Sequence, residues 1–380
     1  MKNNVKKKKS FLLIMMIAVV SLVVYFAFFN TNWLAKPAFM LDDTFHSIQV
    51  GNDQEISPFS RGFIVTGKSP AYYDWSGIQM NPPYRQDDIR EGNVVDNIIQ
   101  ATDNFILTDD SRIFKTSEIP FTLVYSNSEA KIKNIREFGE YLLVDVLNAE
   151  NIAEFYLLKA DSDFLLSFDG TASTVMLDAD CHLGSKSLSL LSVGIDTHIP
   201  VTRVFHYTKM QQPHGILTLE DVMMYKTHRL EDHIILVGND TILCYNINGE
   251  KAWEIDKPGN ASYDAIKTDS QLLMYFPEKE IGGNTGTNAV VINRSGGYKL
   301  LSLPKYVGNL KAFKSIYIGI EYNDTIIRID RNGKILSRYR LPEGIKEYFP
   351  SNSKENSYFV LTEDNLLKLY TTDLRKDDDD

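Results

Sequence analysis

Few residues in this chain are placed to do chemistry, and those few are best weighed first. Asp178-Ala179-Asp180-Cys181-His182 groups hard and soft donors within five positions, but without the spacing of a known metal site. It reads as a polar loop with an Asx turn. Asp161-Ser162-Asp163 and Asp169-Gly170 lack the ligand spacing of a calcium loop and read as two turns flanking a strand from Phe164 to Ser167. None of the seven histidines pairs at metal-binding spacing; His228 and His233 flank a turn and read as solvent-facing. No Gly-x-Ser-x-Gly elbow and no Gly-x-x-x-x-Gly-Lys phosphate loop occurs. A glycosidase needs only two carboxylates at the right separation, and fifty acids leave that option open. No catalytic residue, metal ligand or cofactor is therefore assigned.

Recognition has a better local candidate. Tyr72, Tyr73, Trp75 and Tyr84, with Arg85 and two prolines between, gather side chains that bury much area at low entropy cost. They suit a sugar face or a proline-rich peptide; the plainer reading is strand packing, since strands are rich in Tyr. Cys181 and Cys244 stand sixty-three residues apart. Cys244 lies in the apolar run Ile242 to Tyr245, where a buried free thiol is ordinary, and that reading is preferred to a disulfide.

These groups must be held by something, and the N-terminus says where. Residues 1–10 carry five lysines and no acid, and residues 11–29 carry no charged side chain at all. As a helix that run spans about 28 Å, close to the hydrocarbon thickness of a bilayer. The lysines precede it, so residues 1–10 are expected in the cytoplasm and the bulk of the chain outside the cell membrane, in a single-pass arrangement. Trp33 falls where an interfacial indole is common. The run is long for a signal peptide and ends in bulky residues, so a retained signal anchor is preferred to a cleaved leader. The expected plan is a basic tail (1–10), a transmembrane helix (11–29), a linker (30–44), one ectodomain (45–372) and an acidic disordered end (373–380).

The first thirty residues contribute five positive charges, so the remainder of a chain of net charge −10 carries −15. Such a surface argues against nucleic acid and anionic lipid as partners of the ectodomain.

From about residue 60 the chain repeats itself. Short apolar runs begin near residues 62, 104, 141, 188, 233, 272, 316 and 358, each followed by two further strand-like runs. A period near forty, with three visible strands and a less regular fourth, is that of a propeller blade. The first run of each unit is almost continuously apolar, as in a strand covered on both faces, whereas later runs alternate. Asn248-Gly249 and Asn332-Gly333 are read as type I′ hairpin turns. The eighth unit lacks its outer strand, and Phe45 to Val50, which alternates, is expected to supply it and so close the ring. The fold class is all-β, a propeller of seven or eight blades with eight favoured, the irregular fourth unit being the one in question. No segment after the anchor holds helical spacing for three turns.

At Asn248-Gly249-Glu250-Lys251-Ala252-Trp253 and Asn332-Gly333-Lys334-Ile335-Leu336 the chain resembles the repeats of quinoprotein-like propellers. WD40 propellers are a more distant likeness, for the Trp-Asp and Gly-His pairs are missing. The resemblance, strong in two units and carried elsewhere by spacing, implies a propeller and points to bacterial proteins with one N-terminal anchor and a propeller ectodomain. It does not bring quinone chemistry: members that bind the quinone stack it on adjacent cysteines, and Cys181 and Cys244 are not adjacent. The functional expectation is a membrane-anchored, extracytoplasmic scaffold that binds a protein or cell-envelope partner without catalysis. The alternatives are a surface carbohydrate hydrolase or lyase, and a ligand-sensing ectodomain that signals through a partner.

Overall fold

The computed structural model describes residues 39–42, 44–67, 70–80, 97–117, 121–159, 164–169, 174–196, 198–210, 212–257, 263–268, 270–276, 288–304, 307–313, 316–351 and 357–372. The basic tail, the apolar run, Trp33, Tyr84, Arg85 and the acidic end lie outside them.

The chain forms eight antiparallel sheets, here blades 1 to 8; blades 1 to 7 each have four consecutive strands, a to d in chain order, and blade 8 takes its outer strand from the N-terminal side of the chain. Strand b is the apolar run seen in the sequence. It is buried along its whole length in blades 1 and 2 (Gly62–Val65, Phe105–Thr108) and in blade 8 (Ser357–Thr362). Strand d alternates, as in Lys251–Asp256 of blade 5. The less regular fourth strand comes first in each unit: Ile56–Phe59, Ile98–Ala101, Lys131–Phe138, Thr174–His182, Met224–Leu230, Asp264–Lys267, Val307–Phe313 and Ile345–Pro350. Strands a of neighbouring blades approach one another and line the axis of the ring. In six of them the pairing with strand b is broken by a bulge near the start. A bulge bends the strand and re-aims its side chains, which suits a strand facing a central channel.

Eight apolar clusters fill the eight seams between blades. The seam between blades 8 and 1 is among them, so the ring is closed. Its closing strand is split. Ile48–Gln49 pairs with Leu367 and Leu366, and Phe39–Leu41, within the segment read as a linker, pairs with Thr372 to Tyr370 of the same strand, Leu366–Thr372. Phe45 sits in the bend between the two pieces and packs inward on Phe359, their rings 5.3 Å apart. Blade 4, the unit in question, has the longest strands of all, of nine, ten, ten and nine residues. The count is eight. Among the described residues there is no helix.

One local expectation is corrected. The Asn-Gly turns are not type I′. Asn246 accepts the N–H of Gly249 on its backbone carbonyl and those of Asn248 and Glu250 on Oδ1. Asp330 does the same for Gly333, Asn332 and Lys334. Only the glycines are left-handed, at φ of 81° and 85°, where a Cβ is strained. These are longer Asx-x-x-Gly turns with a bulge, and Asp74 to Gly77 and Asn293 to Gly296 repeat them in blades 1 and 6. The side-chain oxygen of the first residue, rather than a second positive φ, sets the geometry.

Candidate functional site

Of the aromatic residues singled out in the sequence, Tyr72, Tyr73 and Trp75 pack into blade 1. Tyr72 is 2% exposed and meets Phe121 edge-on, with ring centres 5.7 Å apart, in the seam with blade 2. Tyr73 points the other way and stacks on Phe63 at 5.3 Å. Trp75 leans on Phe359 at 5.7 Å and donates its indole N–H to the Ser60 carbonyl over 3.3 Å. Tyr73 and Trp75 therefore share the closing seam, and Tyr72 does not join them. Both cysteines are buried and free. Burial raises both thiols, Cys244 to about 12, so neither is a thiolate at neutral pH.

The larger feature was not assigned from sequence. Strands a of blades 3 to 6, with Asn239 and Lys257 of blade 5, line an open cavity of about 770 Å³ towards the axis of the ring. Asp178 and Asp180 form part of its wall. The Asp178 to His182 segment is strand, not the polar loop expected: it belongs to Thr174–His182 of blade 4. Residues two apart on a strand share a face, so both carboxylates point the same way, towards blade 5. There they meet N–H groups that Met224–Leu230, an edge strand, turns away from its own sheet. Asp178 Oδ2 accepts the N–H of Thr227 at 3.0 Å and Asp180 Oδ2 that of Arg229 at 2.7 Å. The two side chains thus stand in for a missing neighbour strand and satisfy donors that are costly to bury alone. Gln100 plays the same part between blades 2 and 3, its amide exchanging two 2.8 Å bonds with the backbone of Ile135.

Cations complete these carboxylates. Lys267 of blade 6 donates to both oxygens of Asp180 at 2.6 Å and to the Cys181 carbonyl. Arg136 of blade 3 bonds Asp145 at 2.9 Å, reaches Asp178 at 3.4 Å and donates to the Ala179 carbonyl. Asp178 and Asp180 are neighbours along one strand, each already held by a backbone N–H and a cation. They do not face each other across the cavity as an acid and a base would.

Two further cations are less well served. Lys226 stands half-exposed with its ammonium 3.6 Å from Asp178. Lys257 is 5% exposed, and no carboxylate among the described residues lies within ion-pair reach. Its ammonium donates to the Tyr225 hydroxyl and lies 4.7 Å from the centre of that ring. Tyr263, His228 and Asn239 supply neutral polar groups to the same wall. His228 Nε2 lies 3.0 Å from the Tyr263 hydroxyl. Burial lowers the His228 pKa although Asp180 and Asp178 oppose it, and burial raises that of Tyr263, so this pair is neutral at ordinary pH. His228 is therefore a cavity residue and not the solvent-facing one expected. Among the described residues no three His, Cys, Asp or Glu side chains converge as a metal site.

One signal in the sequence could have found this wall: Asp178, Asp180 and His182 alternate with Ala179 and Cys181 at the period of a strand. Lys226, Lys257 and Lys267 carry no such signal, because three different strands or turns deliver them.

No protein-family model matches the chain, and no curated protein matches it in sequence. Solved structures do. Sqt1 of Saccharomyces cerevisiae is 9% identical, with a TM-score of 0.53 over 88% of this chain and 100% of that one. BamB from Moraxella catarrhalis is 12% identical, with a TM-score of 0.48 over 88% and 100%. The Pan2 WD40 domain of Neurospora crassa is 9% identical, with a TM-score of 0.42 over 71% and 85%. At such identities the likeness concerns the fold, and that to Sqt1 agrees with the propeller described above.

Proposed function

We propose that the protein is a single-pass, membrane-anchored scaffold whose propeller stands outside the cytoplasm and binds a protein partner through blade 4. In this reading residues 1–10 are cytoplasmic, residues 11–29 span the bilayer, and the ring begins only ten residues later, close to the membrane surface. The observation that carries the partner reading is the build of blade 4. Strands of nine or ten residues reach about twice as far as the four-residue strands of blade 1. At the end where Asp196 and Ile199 form its hairpin, the blade leaves Val175, Ile199 and Met223 exposed. Large apolar side chains gathered at one end of the longest blade of an otherwise acidic surface favour a protein contact over solvent alone. Trp75, with Tyr84 and Arg85, is a second proposed contact.

A photo-crosslinking side chain placed at Ile199 or Met223 tests this in living cells. The reading predicts a discrete protein adduct from either position, lost in the Ile199→Asp/Met223→Asp background, and none from a probe at exposed Tyr322 of blade 7. Adducts that are absent, or identical from blades 4 and 7, would remove it. Placement is tested separately with Tyr322→Cys, since both native thiols are buried. A membrane-impermeant maleimide is expected to label intact cells; labelling only after lysis would put the ring on the other side.

A further inference from the structure

The geometry points to the axial cavity between blades 3 and 6 as a binding site for a small organic anion, one that presents a phosphate or carboxylate to Lys226 and Lys257. This goes beyond the scaffold reading, and its test needs no protein partner.

Three observations carry it. The first is the charge balance of the wall. Arg136, Lys226, Lys257 and Lys267 face only Asp178 and Asp180 across the cavity, in a chain whose acids outnumber its Lys and Arg by fifty to forty. Two of the cations are spent. Lys267 is clamped on Asp180, and Arg136 is held by Asp145 and Asp178. Lys226 shares Asp178 at a loose 3.6 Å, and Lys257 has only a phenol.

The second is burial. An ammonium removed from water is costly unless an opposite charge or several acceptors replace its hydration. Lys257 receives one hydroxyl. The purely structural explanation, a snorkelling lysine, fails here: such a side chain keeps its head in water, whereas Lys257 is 5% exposed. An anion arriving through the cavity supplies the missing counter-charge.

The third is size and surface. About 770 Å³ is the volume of a drug-sized ligand site and far more than a bare oxyanion fills. Tyr225 and Tyr263 offer ring surface for the body of such a ligand, and Asn239 and the neutral His228 offer hydrogen bonds. The acidic exterior repels anions in general, so a positive patch recessed on the axis selects those small enough to enter.

Isothermal titration of the full-length protein in detergent, with inorganic phosphate and with succinate at constant ionic strength, tests the proposal. Saturable binding of phosphate, of succinate or of both is expected, and the tighter probe assigns the head group. Lys226→Met, at a half-exposed position, is expected to weaken that binding about tenfold. Lys257→Met should abolish it. Lys251→Met, on the exposed strand d of blade 5, should leave it unchanged. No saturable binding of either probe at concentrations up to ~10 mM, or affinities that Lys226→Met and Lys251→Met alter equally, would overturn the assignment.

Discussion

Two seams of the ring are built on opposite principles. Between blades 8 and 1 the contact is aromatic. Phe359, fully buried, touches Phe349 at 5.1 Å, Phe45 and Phe63 at 5.3 Å and Trp75 at 5.7 Å. Between blades 4 and 5 an apolar cluster is joined by a polar one. Asp178 and Asp180 cap backbone N–H groups, and Arg229, 1% exposed, donates to Ser187 at 2.9 Å while its Nη1 finds no partner. Ser189, His206 and Thr227 of the same seam also keep an unbonded polar atom. Apolar burial is non-directional, so it suits the seam that must join two distant parts of the chain. Directed hydrogen bonds fix position instead, and the polar seam is the one that frames the cavity. The difference suggests that stability and site geometry were placed in different seams.

Substitutions can break that contrast. Phe359→Ala removes the ring at the centre of the closing seam and is expected to cost about 4 kcal/mol, measured by urea unfolding. A loss below about 1 kcal/mol would mean that the seam is not close-packed. Asp180→Ala should cost about 3 kcal/mol, because it strands the Lys267 ammonium and the Arg229 N–H in the partly buried polar seam. Arg229→Met should come out within about 1 kcal/mol of neutral or stabilise, since an apolar chain of similar length replaces a guanidinium that burial already drives down to about 10. A large destabilisation there would show that Arg229 holds more than Ser187.

The pH response sharpens the comparison with a smaller effect. Burial, with Arg229 and His214 nearby, pushes His206 down to about 4. Between the ordinary histidine value near 6.5 and about 4, the unfolded chain binds a proton that the folded blade refuses. Stability is therefore full above pH 6.5 and falls as the pH drops through that window. His206→Gln should reduce the proton uptake on unfolding by about one across it. An unchanged slope would contradict the neutral, buried state. His228 and His233 are shifted in the same direction and will leave part of the slope in place.

How much of this could be read from the residues follows from where each strand faces. Strand b is covered on both sides, so its apolar run announced the eight units and their spacing. The closing strand was legible because Ile48 and Val50 alternate with polar residues, although its first piece, Phe39–Leu41, follows no such pattern. Strand a was missed in every blade. It faces the axis of the ring, carries charge, and in six blades is broken by a bulge that disturbs the period of two. The Asp178 and Asp180 pair consequently looked like a loop. Lys257 could not be paired with Tyr225 from sequence, since thirty-two residues and most of a blade separate them. The Asn-Gly turns were placed correctly but given the wrong geometry, because the controlling group is the side-chain oxygen three residues before the glycine.

The ring is closed by the strand that follows the apolar N-terminal segment. Met40 lies opposite Thr371 across that junction, and the native thiols are buried, so a Met40→Cys/Thr371→Cys pair reports on closure alone. Mild oxidation of the folded double variant should form an intramolecular disulfide, seen as a faster band on a non-reducing gel that dithiothreitol restores. A variant that melts like the parent yet stays unlinked, or links only between molecules, would contradict closure by this strand.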